Sequence, residues 1–192
     1  MKTLLLSAAF AAAALAPSTA SAQAIPTAVV AVVDLDRVTA ECNACKTAQA
    51  ALRSQLQAYQ TRERTLATPI ETEQKSLQTA IDALKGKEPD AALQTRIKSF
   101  QTRQQQAAQE LATQQQQIKA NQAYIQKQVA DKLGPIYQQV MQRRGANVLV
   151  EVGSTLAAAQ NVDVSNDVLA ALNSALPTIV TTAPAPPQPQ GR

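Results

Sequence analysis

The chain has 192 residues, with five Gly, two Phe, three Tyr and neither Trp nor His. It is 45% hydrophobic but only 3% aromatic, so its apolar area comes from Ala, Val, Leu and Ile, which makes a thick globular core hard to build. The net charge is +4, and a chain without His excludes Ser-His-Asp and Cys-His catalysis, His-ligated zinc and c-type haem attachment. Composition points away from an enzyme, and neither a catalytic residue, a metal nor a cofactor is expected.

Met1-Lys2 is a positive start, Leu4 to Ala16 is an apolar run of 13 residues, and Ala20-Ser21-Ala22 is a small-x-small site ahead of Gln23. That order reads as a secretory signal peptide over residues 1–22, cleaved near Ala22 and too short to span a membrane. No Cys lies near the cut, which argues against a lipid anchor. The remaining 170 residues carry a charge of +3 and describe a soluble, exported protein.

Residues 23–40 hold the first expected strand. Ala28-Val29-Val30-Ala31-Val32-Val33 is a continuous, β-branched apolar run of the kind covered on both faces. Residues 41–144 then read as a helical hairpin. Residues 37–144 contain 22 Gln in 108 residues, in a background of Ala, Lys, Arg and Leu, all good helix formers. Leu52, Leu56, Tyr59, Glu63, Leu66, Ile70, Glu73, Leu77, Ala80 and Leu84 alternate by steps of four and three. Leu93, Ile97, Phe100, Gln104, Ala107, Leu111, Gln114, Ile118, Asn121 and Ile125 do the same. This is the 3.5-residue period of a coiled-coil seam. Lys85-Gly86-Lys87-Glu88-Pro89-Asp90 sits between the runs as a turn, so the tip is expected near 85–90 and the two arms antiparallel. Each arm reaches about 60 Å or more at 1.5 Å per residue. Glu63, Glu73, Gln104, Gln114 and Asn121 stand where apolar knobs belong, and Thr68-Pro69 and Gly134-Pro135 are expected to kink the helices. Such flaws fit either a poorly optimised surface coiled coil or an arm that must bend and splay.

Residues 145–176 carry the other half of the base. Val148, Val150 and Val152 alternate with Asn147, Leu149 and Glu151 as a half-buried strand, and Thr155 to Ala159 is a candidate third strand. Ser165 is the expected N-cap of a short helix through Leu169 and Leu172. Residues 177–192 are Pro-rich and read as a disordered tail. Strands flanking a hairpin must meet at its base, and so few short strands without aromatics bury too little area to stand alone. An oligomer is therefore expected, with Val30, Val32, Val148 and Val150 in its shared core.

Residues 91–144 carry eight positive and two negative side chains, a balance of +6 on the returning arm. Arg96, Lys98, Arg103, Lys119 and Lys127 are candidates for contact with acidic clients or an anionic surface; a solvated helix face is the plainer reading. Nucleic acid is not expected outside the cytoplasm, and the aromatics are too scattered for base stacking. Cys42 and Cys45 are the only thiols, and export makes a disulfide their default state. A structural or inter-subunit bridge outweighs a redox site, because repeated βαβ units are absent, and no second thiol pair completes a zinc site.

The signal peptide is followed by Val33-Asp34-Leu35-Asp36-Arg37-Val38, a long Gln/Lys/Ala hairpin, Ala146-Asn147-Val148-Leu149-Val150-Glu151 and Asn161-Val162-Asp163-Val164-Ser165-Asn166-Asp167-Val168-Leu169. In that order the chain resembles the Skp (OmpH) family of periplasmic chaperones over roughly residues 25–175. The resemblance implies an α+β fold: a long antiparallel coiled-coil arm on a small β oligomerisation body, three copies forming a jellyfish-like homotrimer around a cavity. It implies a periplasmic holdase that works without ATP and keeps unfolded outer-membrane proteins from aggregating before insertion. Some members are linked to lipopolysaccharide through basic residues, which is not carried over to particular positions here. The Cys pair, Pro69 and the Pro-rich tail stand outside the family pattern. Two other readings remain open: a structural or adaptor coiled coil of the envelope, and an exported thiol oxidoreductase acting through Cys42 and Cys45.

Overall fold

The computed structural model describes residues 25–184. The expected signal segment and the stretch from 185 onward lie outside the described residues. Strand β1 (Val30–Val33) leads into the short helix α1 (Leu35–Glu41), and α2 (Asn43–Ala83) follows after a single intervening residue. The chain reverses, returns as α3 (Ala91–Arg144), pairs through β2 (Val148–Glu151) and closes with α4 (Ser165–Ala175).

The strands pair in parallel, Val30 opposite Val148 and Val32 opposite Val150. Parallel strands need a crossover connection, and here the whole helical arm is that crossover. At 1.5 Å per residue α2 runs about 60 Å and α3 about 80 Å. The reversal is built at Lys85 (φ 47°) and Gly86 (φ 87°), and Asp90 caps α3 by accepting from the Leu93 N–H at 2.8 Å. Positive φ comes at little cost at Gly86, where a β-carbon would be strained. Gly145 (φ 67°) likewise ends α3 in the left-handed region favoured at helix C-termini.

The core lies at the base, where α1, the start of α2, the end of α3 and α4 pack on one face of the sheet. Ala31, Val33, Val38, Val140, Val168 and Leu172 are all buried there, and β-branched and Leu side chains fill it without a fully buried aromatic. Alternation along β1 turns Val30 and Val32 to the opposite face. Residues 152–163 cross that face, so Val32 is buried beneath them while Val30 stays 43% exposed.

Three features differ from the sequence expectations. The first strand is shorter than the apolar run, because Val29 and Val30 project beyond the cover. Thr155 to Ala159 forms no strand; Val152–Ser154 turns as a 3₁₀ segment and leads into a loop with no ladder partner. Ser165 is the first helical residue rather than the cap, and the Asp163 carboxylate accepts its N–H at 2.8 Å. Both Pro69 and Pro135 lie inside unbroken helices. Around Pro69 the hydroxyls of Thr65, Thr68 and Thr72 bond back to carbonyls four residues earlier, a pattern that bends helices gently.

Cys42 separates α1 from α2 and is bonded to Cys45 within the chain. Cys42 is fully buried, and its sulfur accepts the Cys45 N–H at 3.2 Å as the cap of α2. On the capped turn, Asn173 of α4 accepts the Asn43 N–H at 2.9 Å, so the bridge sits where the arm is fastened to the base. Replacing Cys42 by Ser should lower the unfolding free energy by about 2 kcal/mol, the loop-closure value for so short a ring. Urea unfolding of both forms checks this; an unchanged midpoint would mean the bridge fastens nothing.

Candidate functional site

At the base, the two sequence blocks that carry the family resemblance meet as a polar clasp. Asp34 caps α1 by accepting the Arg37 N–H at 2.8 Å, and its own N–H goes to the Ser165 hydroxyl at 2.8 Å. Arg37 reaches across to Asn166 at 2.8 Å and to Asp163 at 3.4 Å. Ser165 is buried and donates to Asp163, whose carboxyl is held below its usual range by that hydroxyl, with further help from the Ser165 N–H and the Arg37 charge. The clasp ties the start of the chain to its last helix.

The four expected core valines share the sheet face turned away from the helices, since opposite partners in a ladder point to the same side. The structure brings them together but buries them unequally. Val32 is buried, Val150 half-buried, and Val30 and Val148 are exposed, as is Leu156 in the segment that crosses this face. Among the described residues β2 pairs only with β1, so its outer edge presents unpaired main-chain groups.

Along the arm, polar side chains cross-link α2 and α3, two of them, Glu73 and Asn121, at the interrupted seam positions. Gln55 accepts from Asn121 at 2.9 Å near the base. Arg62 grips Glu110 through two bonds, 2.6 and 3.0 Å, midway. Arg96 grips Glu73 through two more, 2.7 and 3.2 Å, and also reaches Ser76, while Arg103 approaches Glu73 at 3.7 Å. Hydrogen bonds from Arg96 and Arg62 hold the Glu73 and Glu110 carboxyls below the ordinary carboxylate range. Two-point Arg–carboxylate contacts are directional, so these rungs fix the register that an Ala- and Gln-rich seam leaves loose.

The five candidate cations are not one patch. Arg96 and Arg103 face α2 at Glu73, and Lys127 pairs with Asp131 on its own helix at 2.7 Å. Lys98 and Lys119 are exposed, and their spacing of 21 residues, three heptads, places them on one outer stripe. Open grooves flank the rungs: one of about 450 Å³ near the base between Leu52, Ile125 and Leu133, another of about 530 Å³ around Leu66, Pro69 and Ala107. Neither converges catalytic side chains. Among the described residues no group of three His, Cys, Asp or Glu is placed to hold a metal, and no helix is long and apolar enough to cross a membrane.

The C-terminal stretch departs most from expectation. Residues 177–184 do not trail away but lie back along the arm: Ile179 packs against the core, and Val180, Thr181 and Ala183 hydrogen-bond to the helices. Nothing in its Pro-rich composition signalled this. The seam interruption at Asn121, 4% exposed, was the one available sign that something polar had to meet it.

A hairpin of two long helices, closed at its base by a small parallel sheet, defines the class. A family model described as outer membrane protein (OmpH-like) matches residues 29–172, and the chain belongs to that family. The match ends inside α4, before the returning segment. No curated protein matches the chain. Among solved structures, the crystal structure of an OmpH-like protein from Caulobacter crescentus CB15, proposed to be an outer membrane chaperone, is similar with a TM-score of 0.68. The two are 20% identical, and the likeness covers 86% of this chain and 96% of that one, so it speaks for the fold.

The rungs make the arm acid-sensitive. A carboxyl whose pKa is depressed by folding stabilises the fold above its unfolded value and loses that contribution as pH falls through the folded one. Glu73, Glu110 and Asp163 all shift this way, so arm and base should loosen below about pH 4. Far-UV circular dichroism of the chain and of Glu73→Gln/Glu110→Gln reads this. The variant should be less stable at neutral pH and lose less on acidification; an equal acid response would remove the rungs as its cause.

Proposed function

We propose that the chain is an ATP-independent holdase of the periplasm that shelters unfolded outer-membrane proteins between helical arms before they insert. Residues 1–22 would direct export and be cleaved near Ala22. The observation that carries this reading is a long, rung-stiffened arm with open, mixed-polarity grooves, standing on a base whose outer sheet face is unpartnered. Grooves walled by Ala, Leu, Gln and Thr offer many weak contacts and no deep anchor, which suits capture followed by release. Membership of the OmpH-like family supports the same conclusion. The buried sulfur of Cys42 offers no surface to an attacking thiolate, which weighs against an oxidoreductase.

The oligomer of this reading is a homotrimer joined through the exposed face around Val30, Val148 and Leu156 and the free edge of β2. A charge at a fully buried position unfolds a protein, but Val30 is exposed in the single chain, so Val30→Asp should keep the fold and lose the assembly. Light scattering coupled to size-exclusion chromatography decides this. A Val30→Asp chain that remains assembled moves the interface elsewhere.

Electrostatic attraction falls to Lys98 and Lys119, because Arg96 and Lys127 are neutralised by Glu73 and Asp131. Lys98→Glu/Lys119→Glu should weaken protection of a urea-diluted outer-membrane barrel protein against aggregation, and more so at 20 mM than at 300 mM salt as screening grows, roughly by the change in Debye length. An equal loss at both salts would remove the electrostatic part. A chain that assembles yet ignores the unfolded barrel at either salt would be an adaptor of the envelope instead of a holdase. An anionic lipid surface is a further partner of the same stripe.

A further inference from the structure

We propose that the arm near the base carries a seat for extended polypeptide backbone, occupied here by the chain's own residues 179–183 and open to an unfolded client segment when that strap leaves. The inference rests on the holdase reading and gives it a specific place of contact. Four side-chain amides make the seat. Gln128 grips Val180 at both main-chain groups, accepting its N–H at 3.0 Å and donating to its carbonyl at 2.8 Å. Gln55 donates to the Thr181 carbonyl at 3.2 Å. Asn121 accepts the Ala183 N–H at 2.8 Å, and Gln117 donates to the Ala183 carbonyl at 3.3 Å.

Every one of these five bonds ends on the main chain of the strap, so nothing in them reads its sequence. Spacing makes the match repeatable: seven helical residues from Asn121 to Gln128 rise about 10 Å, and so do three residues of extended chain from Val180 to Ala183. The amides are themselves held in place, Asn121 being buried and bonded to both Gln55 and Gln117. The groove continues past Thr182 toward the tip, about 440 Å³ in volume, with Gln114 one heptad beyond Asn121. A carboxamide offers N–H donors and a carbonyl acceptor side by side, the complement of a peptide unit. Folded proteins have already paired those groups, so the occupant that fits is an unfolded or edge segment. Among the described residues no charged side chain bonds the strap, so this contact should persist in salt that screens Lys98 and Lys119.

Two double variants release the strap in opposite ways. Val180→Pro/Ala183→Pro removes the two N–H donors and leaves the seat intact; Asn121→Leu/Gln128→Leu removes the seat. Hydrogen exchange over residues 177–184 reports release, and circular dichroism checks that the arm is still helical. The probe is a fluorescent, reduced and carboxymethylated, permanently unfolded protein, titrated by anisotropy in 0.5 M salt. Freeing the seat should tighten probe binding by about fivefold or more over the native chain, as the competent fraction rises, while the leucine variant gains nothing. A released strap with unchanged affinity, or an equal gain in both variants, overturns the proposal. A second measurement needs no variant: a synthetic peptide copying residues 177–184 must displace the probe from the native chain, and failure to displace it counts against the seat. If every form still protects an unfolded barrel protein while probe affinity never changes, the holdase reading stands and the seat falls. If the native chain neither binds the probe nor protects the barrel, both fall.

Discussion

Everything in this molecule hangs on joining two stretches of chain that are far apart in sequence. Val29 and Asn147, 118 positions apart, exchange the first contacts of a parallel ladder only four residues long, and the Asp34–Ser165 bond and Arg37 bridge fasten it from the side. Loop-closure entropy opposes such a contact, since the ladder can form only after the arm between its strands has folded back. The two-stranded sheet is too small to compensate by itself. Helix α4 supplies the remainder, burying Val168 and Leu172 against α1 and α3, so the base is a helical core with a sheet along one side. Where that base is held, the direction in which the arm leaves is held too. The Cys42–Cys45 bridge and the Asn173 cap both sit at this point of departure.

Farther out, apolar packing loses its hold and polar geometry replaces it. Most seam positions between the base and Leu77 are only half-buried, because two helices alone cannot enclose a knob on every side. The rungs Gln55–Asn121, Arg62–Glu110 and Glu73–Arg96 therefore set register more than they add stability, as expected for ion pairs in reach of water. A stiff arm with weakly apolar walls is what a surface needs if it is to touch an unfolded chain at many points and still let go.

The hairpin was legible in the sequence because its signals are local: the three-four repeat, the Lys85–Asp90 turn and the Gln-rich background each act within a few residues. The β1 and β2 strands were legible for the same reason, as short Val-rich runs. What failed depended on distance. Thr155 to Ala159 is apolar but has no neighbour to pair with, and the Val29–Val30 end of the first run has no cover within the chain. The seam interruptions at Glu73 and Asn121 are visible in the sequence, but their partners across the hairpin, Arg96 and Gln55, are not; only the antiparallel register makes them pairs. Apart from the polar Asn121 in the seam, the returning strap left no sign in the sequence, since its bonds run through main-chain atoms that composition does not distinguish.

The account depends most directly on a base that closes between copies and arms that then hold a client. Native mass spectrometry of the chain from Gln23 onward, alone and mixed with a urea-unfolded outer-membrane barrel protein, tests both at once. Three chains alone, and three chains with one barrel protein when mixed, are the species expected. A monomer would contradict the unpartnered sheet face as an assembly surface, and a trimer that never carries the barrel protein would contradict the holdase.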